Sequence, residues 1–178
     1  MANLSLYAVK AVLILDTEGN RLMAKYYPHA TEFAAVKDQR AFEKSLFDKT
    51  RRTNSEITLL DGHVVCYRSV VDVYVYLVGS TEENELILSA TLNAYVDALD
   101  SLLRHQMDKQ SIQSYYDMVV LALDECIDDG IILEVDEELI VSRVTKRGID
   151  NMDVVLNEQT LMQAYQTAKE RLASSLLK

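Results

Sequence analysis

The stretch from residue 82 to residue 106 constrains the fold more than any other part of the sequence. Its apolar residues recur at intervals of three and four, which places them along one broad face of an α-helix. They are Leu88, Leu92, Tyr95, Val96, Leu99, Leu102 and Leu103. The two runs before it, 64–71 and 73–78, are rich in Val and Tyr, which favour β-strands. The pattern predicts a sheet with this helix laid across it.

The first half of the chain predicts the rest of that sheet. The almost continuously apolar start is typical of a central strand that is covered on both faces. Asp16, Gly19 and Asn20 predict a tight hairpin, and Pro28 ends the strand that returns from it. A second hairpin is predicted at Asp61-Gly62. The predicted strands are 6–15, 21–27, 56–60, 63–71 and 73–79, with an amphipathic helix at 36–51.

The second half is predicted to be helical. Thr81 is expected to open the organising helix, and a second helix follows across residues 112–127 and ends in a left-handed cap at Gly130. Residues 136–146 predict a further helix, 147–157 a surface loop, and 157–178 a final helix that packs on its own domain or on a partner. We therefore expect one domain over 1–146, followed by the loop and helix of 147–178.

Composition and charge restrict the class of protein. With 178 residues, 49% of them hydrophobic and 26% charged, the chain is typical of a single globular domain. It has neither a signal peptide nor an apolar run near the roughly 20 residues that span a bilayer, so a cytoplasmic location is expected. The net charge of -10 disfavours direct binding to nucleic acid or to anionic lipid.

Residues that commonly carry catalysis are present without the necessary spacing. The five glycines are isolated, so no phosphate-binding loop is predicted, and no cofactor is expected. The three histidines lack metal-ligand spacing, and His63, beside a turn, is expected to be solvated. Cys66 and Cys126 are interpreted as inert core residues. No nucleophile motif is found, and an enzyme is not predicted.

Four acidic residues close together allow two interpretations. They are Asp124, Glu125, Asp128 and Asp129. A calcium loop needs oxygen ligands at alternate positions, but Cys126 occupies one of those positions and the pattern is helical. A solvated acidic helix face is therefore preferred to a metal site.

Several sequence blocks resemble a known family. The run LYAVKAVLILD at 6–16 and the run GNRLMAKYY at 19–27 are similar to the opening hairpin of the small subunits of clathrin adaptors and of coatomer. FEK at 42–44, EENEL at 82–86 and LDECIDDGIILE at 123–134 resemble the zeta-subunit family of coatomer in particular. The resemblance runs from about residue 4 to residue 144. It implies an α+β fold of the longin, or SNARE-like, type: a five-stranded antiparallel sheet with helices on both faces, plus C-terminal helices.

The same resemblance implies a function and a set of partners. It predicts a non-catalytic subunit of the COPI vesicle coat that pairs with the large gamma subunit and assembles with the beta and delta subunits. Arf-family GTPases bound by the large subunits would recruit it to Golgi membranes, so its own membrane contact would be indirect. The alternative is a free-standing longin-type regulator that binds a small GTPase or a SNARE directly.

The resemblance also points to three candidate site residues. Related clathrin-adaptor small subunits bind acidic dileucine cargo signals, and by aligned motif Arg21, Val73 and Val96 fall at positions of that pocket. His105 and Lys109 stand where the pocket has other residue types. The alternative, which is preferred, is that Arg21 is an exposed strand residue and both valines belong to the core.

Overall fold

The computed structural model describes residues 6–52 and 56–151. Its strands are β1 Val9–Asp16, β2 Arg21–Tyr26, β3 Ile57–Leu60, β4 His63–Val70, β5 Val73–Ser80, β6 Ile127–Asp128 and β7 Ile131–Ile132. Its helices are α1 Val36–Thr50, α2 Glu85–Leu102, α3 Lys109–Ser114, α4 Tyr116–Cys126 and α5 Glu137–Asn151, with a short 3₁₀ helix at Thr31–Phe33.

The main sheet has five antiparallel strands in the order β2-β1-β5-β4-β3. β1 lies inside it, with Leu13 opposite Ala24 of β2 and Tyr76 of β5. Both predicted tight hairpins are present. Gly19, in the longer turn between β1 and β2, has a φ of 83°. Asp61 and Gly62 have φ values of 50° and 76°, which suit a two-residue hairpin turn. The prediction of a covered central strand is confirmed for Val9–Asp16, but its predicted start was wrong, because Leu6 and Tyr7 precede the strand and are exposed.

Helices cover both faces of this sheet. Along β1, Leu13 and Leu15 pack with the residues of α1, whereas Val12 and Ile14 pack with the residues of α2 and α4. Alternation is expected because successive strand side chains point to opposite faces. Each large apolar side chain that is buried fully contributes about 1.5–3 kcal/mol, so two complete apolar layers stabilise this sheet. The predicted fold class is confirmed.

The start of α2 differs from the prediction. Its N-cap is Asn84, whose side chain accepts a hydrogen bond from the Leu86 backbone N at 2.9 Å. Thr81 lies in the preceding turn, where the Glu83 N–H donates to the Ser80 carbonyl at 3.2 Å. Thr81 was the wrong residue because the chain needs this turn to pass from β5 into the helix.

The predicted cap at Gly130 was also wrong. The second helix is divided into α3 and α4, and α4 ends at Cys126. Gly130 instead lies in the turn between β6 and β7, with a φ of 81°. The Val9 backbone N–H donates to the Gly130 carbonyl at 3.0 Å, so this small hairpin is held against the start of β1. The hairpin of β6 and β7 is stabilised by β1, which is distant in sequence, so no local pattern indicates it.

The C-terminal predictions fall partly outside the described residues. The helix predicted at 136–146 is present as α5, but it continues to Asn151, into the stretch predicted as a loop. The prediction of a loop from residue 147 was therefore wrong for 147–151, where the backbone stays helical. The rest of that loop and the helix predicted at 157–178 lie outside the described residues, and the division after residue 146 stays a prediction.

We expect acid to weaken the folded state through Asp16. Its burial opposes ionisation, but hydrogen bonds from Lys109 Nζ at 2.8 Å and from Asn20 outweigh this and lower its pKa from 3.8 to about 2. A carboxyl group whose pKa is lowered by folding stabilises the protein above its unfolded pKa, and that contribution disappears as the pH falls through the folded value. Urea titrations should therefore show stability falling between about pH 4 and pH 2. The fall should be shallower in Asp16→Asn, and equal slopes in the two proteins would contradict this assignment.

Candidate partner-binding surface

An open apolar groove lies at the end of the sheet where β1 begins and β5 ends. Its volume is about 320 Å³. It is lined by Leu6, Ala8, Glu83, Asn84, Ile87, Leu88, Ile131 and Ile132. Leu6 is 64% exposed and Ile87 39% exposed, which is unusual for large aliphatic residues that line one concavity. The groove offers a place for an apolar side chain of another protein.

Close backbone packing builds the floor of this groove. A Cβ atom on Gly79 would lie 2.6 Å from Leu88 Cδ1 and 3.1 Å from the Ala8 carbonyl oxygen. Only glycine at this position therefore lets the first turn of α2 approach the sheet so closely. The hairpin of β6 and β7, held to β1 through Gly130, supplies Ile131 and Ile132 as the other wall.

The edge of the groove is acidic. Glu82 and Glu85 are exposed in the β5–α2 connection and the first turn of α2, and Glu83 lines the groove itself. Carboxylates here also suit the positive end of the α2 dipole. The complementary surface would combine an apolar anchor with neighbouring Lys or Arg side chains.

The three residues of the predicted cargo pocket lie on β2, β5 and α2. Val73 is 0% exposed and Val96 1% exposed, and both belong to the core between the sheet and α2. Arg21 instead points to α1, where it pairs with Glu43 and donates to Gln39 Oε1 at 3.4 Å. The interpretation of the valines as core is confirmed. The Arg21 side chain is only 19% exposed, so the description of it as an exposed residue was wrong.

Glu43 explains the position of Arg21. Its side chain is 3% exposed, and it accepts a hydrogen bond from Tyr26 Oη at 3.0 Å and lies 3.4 Å from Arg40 Nη1. Burial, followed by the charge of Glu43, raises the pKa of Tyr26, so this hydroxyl keeps its proton and donates it. A buried carboxylate is tolerated only with such partners. No sequence signal indicates this burial, because Glu43 lies in an ordinary amphipathic pattern.

His63 was wrongly expected to be solvated. Its side chain is 8% exposed, and Nε2 lies 2.8 Å from Glu32 Oε1. The ring packs against Phe33 and Phe42, with centroids 5.2 and 5.7 Å away. Burial opposes ionisation of Glu32, but its hydrogen bonds to His63 and Lys10 lower its pKa to about 2. The partners are distant in sequence, so the turn beside His63 misled the prediction.

The acidic cluster and the cysteines are also placed by the structure. Asp124 is partly exposed and contacts Lys25 Nζ at 2.5 Å, whereas Glu125 is buried and lies 3.7 Å from Arg143 Nη1. The predicted solvated acidic helix face was therefore wrong: Glu125 is buried, and Asp128 and Asp129 lie beyond the end of α4, in the hairpin of β6 and β7. Residues 6–52 and 56–151 contain no group of three or more Cys, His, Asp or Glu that could hold a metal ion. Cys66 and Cys126 are buried and unbridged, as predicted.

Of the helices in the described part of the chain, none combines the length and hydrophobicity of a membrane span.

A five-stranded antiparallel sheet covered by helices on both faces is compatible with the adaptor small-chain class of protein. The family model described as Clathrin adaptor complex small chain matches residues 8–151. The fold is similar to that of a chain in a homology model of the full-length AP-3 complex in a stretched open conformation, with a TM-score of 0.62. That match covers 92% of this chain and 98% of the other at 14% identity, so it speaks for the fold alone.

Similar proteins of known name indicate which type of small chain this is. The chain is 49% identical over 174 residues to coatomer subunit zeta-1 of Homo sapiens, covering 98% of this chain and 96% of that protein. It is 44% identical over 185 residues to coatomer subunit zeta of Saccharomyces cerevisiae, covering 99% and 98%. It is 42% identical over 176 residues to coatomer subunit zeta-1 of Arabidopsis thaliana, covering 96% and 97%. The chain therefore belongs to the clathrin adaptor complex small chain family and, within it, to the coatomer zeta subunits.

Proposed function

We propose that this chain is a non-catalytic small subunit of the COPI vesicle coat that pairs directly with the large gamma subunit of coatomer. The beta and delta subunits join it in the same cargo-binding subcomplex. Arf-family GTPases, bound by the large subunits, bring the assembly from the cytoplasm to Golgi membranes and vesicles. The subunit then takes part in Golgi-to-ER and intra-Golgi transport.

The observation that carries this proposal is the 49% identity between this chain and a coatomer zeta subunit, over 98% of this chain. The groove adds a physical reason for a large partner, because it leaves Leu6 and Ile87 in water. Covering such residues stabilises an interface by about 25 cal/mol per Å² of apolar surface before the costs of association. We therefore place the gamma contact at the groove.

Affinity purification of the tagged full chain from cytosol tests the assignment. Recovery of the coatomer subunits in equal amounts is the expected result. Recovery of a small GTPase in a nucleotide-dependent complex, with no coatomer subunit, would overturn the proposal in favour of the free-standing longin-type regulator.

The groove contact predicts the effect of Ile87→Asp. A carboxylate placed among apolar groups must be desolvated when the partner binds, and it adds to an acidic edge. We expect the affinity for purified gamma subunit to fall by about 30-fold, the effect of losing a central interface residue. Titration calorimetry or surface plasmon resonance would measure it.

Val71→Asp is the matched control. Val71 is 80% exposed at the turn between β4 and β5, at the other end of β5 from the groove. Asp tolerates its positive φ of 50°. The control should bind gamma like the unmodified chain. Equal losses in both variants, or none in Ile87→Asp, would exclude the groove as the contact.

A further inference from the structure

Positive charge is concentrated on one helix of this acidic protein. Of the 18 Lys and Arg residues, six lie between residues 37 and 52, in a chain whose net charge is -10. They are Lys37, Arg40, Lys44, Lys49, Arg51 and Arg52. The same segment contains three acids, Asp38, Glu43 and Asp48, and Glu43 is turned into the protein. The exposed side chains of this segment therefore carry more net positive charge than its full sequence does.

Helical geometry aligns four of these cations. Phe42, Leu46 and Thr50 mark the buried side of α1. On a 3.6-residue period the opposite side carries a line of exposed residues, about 21 Å long at 1.5 Å per residue. We call this line the α1 basic stripe; it consists of Lys37, Arg40, Lys44 and Arg51.

The α1 basic stripe is available to another molecule. Lys37 and Lys44 make no ion pair with any described residue. Arg40 and Arg51 have loose ion pairs of 3.4 Å, to Glu43 and Asp48, and Arg51 also lies over the Phe47 ring at 5.9 Å from its centroid. Their side chains are 57% and 43% exposed. Exposed pairs of this kind are weak and exchange easily.

We propose that the α1 basic stripe rests directly on an anionic lipid surface and orients this subunit on the membrane. The stripe lies along the outer side of a helix that packs on the sheet opposite α2, and Val36 at its start is 64% exposed. A plane of headgroups needs no shaped pocket, whereas an acidic peptide would need anchoring pockets to be held specifically. The arrangement therefore favours lipid over peptide.

The net charge of the chain does not prevent this contact. At physiological salt the Debye length is about 8 Å, and α1 alone is about 10 Å wide. Acidic residues on α2 and α4 lie beyond α1 and the sheet, so their repulsion is largely screened. Each cation near an anionic surface raises affinity about fivefold. The contact is weak alone, but the α1 basic stripe lies on one side of the domain, so it favours one orientation.

Sedimentation with vesicles tests the proposal on the full chain. Vesicles contain phosphatidylcholine with about 30% phosphatidylserine, or phosphatidylcholine alone, at low and physiological salt. We expect binding only to the anionic vesicles, weakening as salt rises. The charge reversal Lys37→Glu with Lys44→Glu should lower binding by at least about tenfold.

The matched control is Arg104→Glu with Lys146→Glu, which changes the net charge equally at two exposed residues outside α1. It should stay within about twofold of the unmodified chain. Circular dichroism and the urea midpoint would show that both variants are folded. Equal losses in both double variants would mean that only net charge matters and would overturn the proposal. Failure of the unmodified chain to bind, or binding only to a polyglutamate peptide, would overturn it too.

Discussion

Gly130→Ala is expected to lower the free energy of unfolding by about 3 kcal/mol, since it combines backbone strain with a steric clash. Gly130 has a φ of 81°, where a side chain is disfavoured. The new Cβ would also lie 2.2 Å from His29 Cε1 and 2.5 Å from the Val9 carbonyl oxygen. The backbone atom cannot withdraw without disturbing the hydrogen bond from Val9 to Gly130, so the hairpin must move.

The variant Gly62→Ala separates the backbone strain from the steric clash. Its φ of 76° is similar, but among the described residues no atom beyond its chain neighbours lies within 4 Å of the new Cβ. Only the conformational penalty remains, and we expect a loss of about 1 kcal/mol. Urea unfolding of both variants measures the difference. Equal losses would contradict the close contact at Gly130.

Weaker binding of gamma by folded Gly130→Ala is also expected, because the hairpin carries Ile131 and Ile132 of the groove.

Arg21→Met is expected to cost about 2 kcal/mol, because it leaves the carboxylate of Glu43 buried without its main counter-charge. Removing one partner of a buried ion pair commonly costs about 3–5 kcal/mol, and the remaining contacts of Glu43 with Arg40 and Tyr26 reduce this. Methionine keeps much of the length and apolar volume of the arginine stem. The loss therefore reports on charge rather than on packing.

Adding Glu43→Leu to Arg21→Met should recover most of the lost stability, since no buried charge then remains. Chemical denaturation of both single variants and the double variant gives the coupling energy directly. An acidic dileucine peptide titrated into each folded variant gives the second measurement. If Arg21→Met were neutral for stability but abolished peptide binding, Arg21 would belong to a cargo pocket instead of the α1 interface.

Most of the fold could be predicted because its information is local. Continuous apolar runs, Val- and Tyr-rich runs, Asp-Gly and Gly-Asn turns and the apolar repeat of α2 each indicate one element over a few residues. The apolar patterns alone predicted a sheet with α2 laid across it, because each apolar face must be covered. The five-stranded antiparallel sheet with helices on both faces was implied by the resemblance to adaptor small subunits.

The site residues depended on distant partners and could not be predicted in this way. Glu43 has the same local pattern as a solvated residue, and only Arg21 and Tyr26 from β2 reveal its burial. His63 is buried by Glu32 and Phe33, about 30 residues earlier in the chain. Gly130 looked like a helix cap because its need for positive φ is visible in sequence, whereas its contact with Val9 is not.

During synthesis, β1 leaves the ribosome well before its second partner. Val12 pairs with Lys25 in the first hairpin but also with Leu77, about 65 residues later. At roughly 5–20 residues per second, translation reaches β5 several seconds after β1. Until then, an apolar strand with one unpaired edge is a template for aggregation. We therefore expect early packing of α1 against Leu13 and Leu15 to protect β1 from aggregation during those seconds.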